Sequence, residues 1–157
     1  NEVDENGITP LCGACIANDA ELLRLLIDHD ADVNKAMSRG PTPLIQACQR
    51  GQQDCARALL EAGAEVNHAG EMLMVGDTAL IRACKFGHVG CARLLIKHGA
   101  AVDQANFGGM TALMLACIEG KADCARLLLE HGAALEHASH HGYTALLWAC
   151  AKGQSAC

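Results

Sequence analysis

The sequence predicts an all-α repeat solenoid, in which helix-turn-helix units stack with β-turn fingers between them. Three observations lead to this fold class: a motif that recurs about every 33 residues, an excess of small aliphatic side chains, and glycines at equivalent places in the units. The motif begins at Thr9, Thr42, Thr78, Thr111 and Thr144, separated by 33, 36, 33 and 33 residues. Self-similarity at such a period indicates stacked supersecondary units.

The composition agrees with closely packed small helices and excludes other classes. Hydrophobic residues make up 51% of the 157-residue chain but aromatic residues only 3%, so the apolar mass is Ala, Leu, Val, Ile and Cys. A chain this apolar can bury enough surface to fold, which excludes intrinsic disorder. No window of about 20 residues is free of charge, which predicts no membrane insertion. The net charge of −6 argues against a nucleic-acid partner.

The elements of one unit can be justified in order from the second copy. Thr42 can cap the first helix through its hydroxyl, and Pro43 suits the first helical position, where the missing N–H costs nothing. Gly51 can take the left-handed conformation that the turn between the helices needs. A second helix is predicted over about residues 53–62 and ends at Gly63. A polar β-turn segment then leads to the next threonine.

We expect one domain over residues 1–157, with units at about 7–39, 40–75, 76–108 and 109–141 and a partial unit at 142–157. Terminal repeats normally carry polar caps. Neither end of this chain has one, and Leu146, Leu147 and Trp148 would lack an outer cover. We therefore expect the chain to be part of a longer protein.

The repeated motif resembles that of ankyrin-repeat proteins. The pattern G-x-T-P/A-L…A-C-x-x-G…L-L…G-A-x-V-N/D covers essentially the whole chain. The resemblance implies an array that binds proteins mainly along a concave face made by the turn tips and first helices. It also implies that turns of the form L-x5-D/E-V-N can be substrates of an asparaginyl hydroxylase, for which Asn34 and Asn67 are the candidates.

Nine of the ten cysteines occupy two repeat positions, and by the resemblance these are core positions. They are Cys15, Cys48, Cys84, Cys117 and Cys150 in the first helices, and Cys55, Cys91, Cys124 and Cys157 in the second. Equivalent residues on stacked helices lie about 8–10 Å apart, too far for a disulfide, whereas a pair within one unit, such as Cys48 and Cys55, could approach. Free cysteines in the core favour a reducing compartment, the cytoplasm or the nucleus.

No catalytic, metal or cofactor site is predicted. The three histidines His137, His140 and His141 cluster in one turn, but a solvated turn is the simpler interpretation, because only Glu136 is at hand to complete a ligand set. The recurring carboxylates and arginines occupy equivalent places in successive units. They are therefore interpreted as a solvated face rather than as acid–base pairs.

The positions that differ between units are the candidates for partner contact. The residue four past each threonine varies freely, and so does the pair before each inter-helix glycine. With two further aromatics, the predicted partner-binding residues are Gln46, Arg50, Arg82, Lys85, Phe86, Phe107, Leu115, Ile118, Tyr143 and Trp148. Aromatic and arginine anchors are typical of interface hot spots. The alternative is that Leu115 and Trp148 pack against an adjoining unit.

The 36-residue interval marks a second candidate. Three extra residues between Asn67 and Thr78 place Met72, Leu73, Met74 and Val75 in a segment that should be polar. They either extend the finger and contact a partner, with methionine supplying adaptable packing, or fold back onto Phe107 or a neighbouring turn. Both interpretations stay open, and Met72, Leu73 and Met74 join the predicted binding residues.

The sequence thus predicts a non-catalytic module that binds a peptide segment or a protein surface. Because the proposed strip contains Arg50, Arg82 and Lys85, an acidic-plus-apolar ligand is expected. The alternative is the substrate-targeting region of a larger enzyme whose catalytic domain lies outside this chain, and a purely structural spacer is a third class. The oligomeric state stays open.

Overall fold

A computed structural model describes residues 3–5, 7–38, 40–70 and 76–153 of the protein. These residues form nine helices and no strand, which confirms the predicted all-α helix-turn-helix architecture. In chain order the helices are α1 (Pro10–Ala17), α2 (Ala20–Asp28), α3 (Pro43–Gln49), α4 (Gln53–Glu61), α5 (Ala79–Phe86), α6 (Val89–Lys97), α7 (Ala112–Ile118), α8 (Ala122–Glu130) and α9 (Ala145–Lys152).

The helices form two rows. The first-helix row consists of α1, α3, α5, α7 and α9, each packed on the next, and the second-helix row consists of α2, α4, α6 and α8. The two helices of each unit also pack together. The rows therefore build a two-layer stack in which a unit gains most of its burial from the units beside it.

The first helices begin where the threonines predict. In all five, the threonine Oγ1 accepts a hydrogen bond from the backbone N–H three residues on, at 3.2–3.4 Å. Pro10 and Pro43 occupy the first turn. At the other end, Gly87 closes α5 in the left-handed conformation at φ +81°, and Asn18 does so for α1 at φ +56°. Asparagine tolerates this region better than most other side chains, so α1 can end in the left-handed conformation without a glycine.

Small and aliphatic residues fill the core between the rows. The leucines that follow the helix-capping position, Leu11, Leu44, Leu80 and Leu113, are at most 2% exposed. Ala47, Ala83 and Ala116 in the first-helix row are fully buried, and such small side chains let neighbouring helices approach closely. None of the four aromatic residues is fully buried, so the low aromatic content reflects how tightly the helices stack.

Successive turns are linked by side chains at the V-N/D position. Asn34 Oδ1 accepts from the backbone N–H of Glu65 at 2.8 Å, and Asn67 Oδ1 accepts from that of Ala101 at 2.8 Å. Asp103 repeats the contact to Ala134 at 2.9 Å. One acceptor oxygen per unit therefore holds the turn of the next unit.

The cysteines require one correction. Cys150 is exposed on α9, because no described residue packs over it, whereas the other eight described cysteines are buried. Interaction with the Cys91 thiol of the next unit, together with burial, raises the pKa of the Cys48 thiol. Interaction with Cys124 and burial raise the pKa of the Cys84 thiol in the same way.

Candidate binding surface

The exposed variable positions lie at the ends of the first helices. Arg50 and Phe86 are exposed there, and Lys85 and Ile118 are half-buried. Each lies one or two residues before an inter-helix glycine, at positions where the residue type differs from unit to unit. We call this set, with Leu115 and Trp148 beside it, the variable strip.

The end of α5 carries a cation beside an exposed aromatic ring. Phe86 is 43% exposed, and Lys85 Nζ lies 6.0 Å from its ring centroid. The His88 imidazole lies 6.4 Å from the same centroid, with the ring planes 24° apart. Contacts with a cation and a second ring restrain the Phe86 ring in part before binding, which lowers the side-chain entropy that binding through it would cost.

The last unit carries a second aromatic pair. The rings of Tyr143 and Trp148 lie 4.9 Å apart, and Tyr143 is 43% exposed. Trp148 is half-buried and packs, like Leu115, against the core. Trp148 therefore packs against the core, as the alternative interpretation expected, while Tyr143 leaves part of the aromatic pair exposed to solvent. Within the described residues, the buried Nε1 of Trp148 has no hydrogen-bond partner.

Gln46 and Arg82 lie inside the protein, at 7% and 9% exposed, which corrects their placement on an exposed strip. Arg82 Nε lies 2.9 Å from Oδ2 of Asp77. Because Asp77 is a buried anion one residue before the helix-capping threonine, it draws the guanidinium inward. Arg50 and Lys85 are then the two outward cations of the predicted set, and Glu119 is exposed next to Ile118.

Asp77 is also held by the turn segment that follows α6. Asn106 Nδ2 donates to Asp77 Oδ1 at 2.7 Å, while Asn106 Oδ1 accepts from the backbone N–H groups of Gly108 and Met110 at 3.0 Å. Neither Asp77 nor Asn106 is among the predicted binding residues. The available signal was that Asp77 is charged at a position that elsewhere holds Ile8, Pro41, Met110 and Tyr143.

The inserted segment is closed at its base. The backbone N–H of Gly70 donates to the carbonyl oxygen of Asp77 at 3.1 Å, so the chain leaves and returns at one place. Met72, Leu73 and Met74 themselves lie outside the described residues, and both interpretations of them stay open. Phe107 is 57% exposed, and its ring lies directly against Gly76.

The predicted hydroxylation residues both use their amide oxygens in the links between turns described above. Asn34 is half-buried and Asn67 is exposed. Asn67 also donates through Nδ2 to the carbonyl oxygen of Gly99 at 3.3 Å. The position is therefore structural in both units, whether or not an enzyme modifies it.

The surface depressions do not coincide with the variable strip. Three shallow depressions of about 260, 300 and 280 Å³ are lined by second helices and inter-helix turns rather than by the variable strip. Among the described residues, including His137, His140 and His141, no group of three or more His, Cys, Asp or Glu side chains could hold a metal ion. No described helix is long and apolar enough to cross a membrane.

Comparison with known proteins identifies the repeat. The family model for ankyrin repeats matches the chain three times, at residues 1–70, 67–138 and 103–157, and the three matches together cover its full length. A search of curated proteins found no match.

Proposed function

The chain belongs to the ankyrin-repeat family, and on that premise we propose that it is a non-catalytic module that binds a peptide segment or protein surface along its variable strip. Ankyrin repeats are typically protein–protein interaction modules. The ligand would lie across the exposed ends of the first helices, on the concave face that such arrays use. If the chain were part of a larger enzyme, the same strip would select that enzyme's substrate.

The observation that carries the proposal is the exposed ring of Phe86 beside Lys85. Phe86 is not among the residues of the buried core or those packed against it, and 43% of its surface is exposed to water, so it should add little to the stability of the stack. Exposed aromatic and cationic groups at a non-repeating position are what a binding hot spot requires. The equivalent positions of the other units carry different side chains, so each unit would contact a different part of the ligand.

The charge of the strip favours an acidic-plus-apolar ligand. Arg50 and Lys85 face outward, and the charge of Arg82 is neutralised by Asp77. An aliphatic or aromatic ligand side chain would pack on Phe86 and Ile118, with a carboxylate near Lys85. Because the whole chain is acidic, this local basic charge would steer acidic segments to one place.

Selection from a phage-displayed peptide library tests the proposal. We expect enriched peptides to combine Asp or Glu with an aromatic or aliphatic residue. Phe86→Ala and Lys85→Glu should each weaken binding of a synthetic winner by about tenfold or more. The matched control is Leu129→Ala, since Leu129 is 41% exposed on α8 in the second-helix row. Equal loss in all three variants, or no enrichment, would contradict the proposed site.

A further inference from the structure

The exposed ring of Phe86 is held by surface neighbours rather than by the core. Phe86 belongs neither to the buried core nor to the side chains packed against it. Its ring has one cationic and one aromatic neighbour: Lys85 Nζ lies 6.0 Å from the ring centroid, and the centroid of His88 lies 6.4 Å from it with the planes 24° apart. The direction of the Phe86 ring therefore depends on how firmly these neighbours are held.

The His88 imidazole is fixed by the preceding helix pair. Its Nε2 lies 3.2 Å from the backbone carbonyl oxygen of Gln49 at the end of α3. A carbonyl oxygen only accepts, so Nε2 carries the proton and donates it. The same ring lies against Gly51, where a Cβ would be 2.5 Å from Nδ1 and 2.8 Å from Cε1. A hydrogen bond and a close backbone contact thus hold the imidazole where it is.

Lys85 restrains the ring less than His88 does. Its side chain is long and flexible, and a distance of 6.0 Å lies at the outer end of the range for a cation–π contact. The aromatic pair of Phe86 and His88, with nearly parallel planes, is within the usual range for stacked rings. The imidazole is therefore the firmer of the two restraints.

This pair of rings is not part of the repeat pattern. The residues equivalent to Phe86 and His88 are Arg50 and Gln52 in the preceding helix pair and Glu119 and Lys121 in the following one. Lys121 packs its side chain against Gly87 much as His88 packs against Gly51, so side chains of different chemistry fill this place in the stack. The fold does not require an aromatic ring there, and the ring occurs beside the exposed phenyl group.

We propose that His88 is a positioning residue for binding, which holds the Phe86 ring in the direction that a ligand side chain packs on. The inference rests on the proposed function, in which Phe86 is the hot spot. His88 acts through Phe86 and not by a contact of its own with the ligand. A ring that is ordered before binding loses less conformational freedom when the ligand arrives, so the affinity is higher.

NMR of the phenylalanine rings tests the positioning without a ligand. The chain has two phenylalanines, Phe86 and Phe107, so ring-labelled phenylalanine gives two sets of signals, of which the Phe107 set is an internal control. His88→Gln removes the ring but introduces the residue found at the equivalent Gln52, so the fold should persist. We expect the Phe86 signals to shift and its side-chain order parameter to fall, while Phe107 stays unchanged. Unchanged Phe86 signals would overturn the proposal.

The affinity for a synthetic peptide selected from the phage library measures the consequence for binding. We expect His88→Gln to raise Kd by about threefold to tenfold. His88→Phe, which restores a ring without the hydrogen bond, should recover most of that loss. In a Phe86→Ala background, His88→Gln should raise Kd no further, because it acts through the phenyl ring. Equal losses in both backgrounds would mean that His88 contacts the ligand itself, and the positioning role would be wrong.

A substitution that alters neither ring supplies a second test. Gly51→Ala places a methyl group against the imidazole and should raise Kd for the same peptide. The matched control is Gly132→Ala, where nothing lies within 4 Å of the added Cβ, and its Kd should equal that of the parent. Circular dichroism checks that both variants are folded at the assay temperature. If Gly51→Ala does not fold, His88→Gln decides the question.

The proposed function and the positioning role can fail separately. If Phe86→Ala leaves Kd unchanged, Phe86 is not a hot spot and both are overturned. If Phe86→Ala weakens binding and His88→Gln does not, the binding site stands and only the role of His88 is wrong.

Discussion

Asp77 Oδ2 lies 2.9 Å from Arg82 Nε, and the two side chains are only 3% and 11% exposed. The second carboxylate oxygen accepts from Asn106 Nδ2 at 2.7 Å. A buried charge is tolerated only when it is paired and hydrogen-bonded. Asp77 therefore joins the base of the inserted segment to α5 through Arg82 and to the turn segment after α6 through Asn106.

Removing the carboxylate should destabilise the array strongly. Asp77→Ala leaves Arg82 buried without a counter-charge, and we expect the free energy of unfolding to fall by about 3 kcal/mol or more. The control is Asp123→Ala, which breaks the 3.2 Å pair between Asp123 and Arg126, whose side chains are 73% and 69% exposed. That loss should stay below about 1 kcal/mol. Urea denaturation measures both, and similar losses would show that the Asp77 pair is open to water.

The hydrogen bonds that link successive turns should need an acceptor oxygen at position 67 but not an amide group. Asn67→Asp keeps the oxygen that accepts from Ala101, as Asp103 does for Ala134. We expect this variant to stay within about 0.5 kcal/mol of the parent, and Asn67→Ala to lose about 1 kcal/mol, the usual net worth of one hydrogen bond. Urea midpoints compare the two. An equal loss in both variants would mean that the Nδ2 donation to Gly99 is the more important bond.

The fold was predictable because its signals are local. Thr78 and Thr111 cap helices through residues three positions away, and Gly87 ends α5 by its own backbone conformation. The binding surface was less predictable. Whether Arg82 faces solvent depends on Asp77 and, through it, on Asn106, which lies 29 residues further along the chain. Neither Asp77 nor Asn106 belongs to the repeat pattern.

Each threonine that caps a first helix should contribute on its own to the free energy of unfolding. Thr111 Oγ1 accepts from the Met114 N–H at 3.4 Å, and the residue is 1% exposed. Thr111→Ala removes the acceptor and leaves a buried N–H unpaired, so the free energy of unfolding should fall by about 1–2 kcal/mol. Thr111→Ser keeps the hydroxyl and should recover more than half of that loss. If serine and alanine were equally destabilising, the buried methyl group and not the cap would be the important feature.

Two glycines with similar backbone conformations should differ in their tolerance of alanine. Gly51 and Gly132 have φ of +71° and +80°, but a Cβ on Gly51 would lie 2.5 Å from Nδ1 of His88, whereas nothing lies within 4 Å of one on Gly132. Gly132→Ala should cost about 1 kcal/mol for the left-handed conformation alone. Gly51→Ala should cost at least about 2 kcal/mol, because the ring must also move and give up its contact with Gln49.

A second substitution isolates the contribution of the ring. In a His88→Ala background the clash is gone, and the added cost of Gly51→Ala should fall to that of Gly132→Ala. The difference between the two backgrounds is the coupling energy between Gly51 and His88, measured by urea denaturation of the four proteins of the cycle. A coupling near zero would mean that the imidazole turns aside freely.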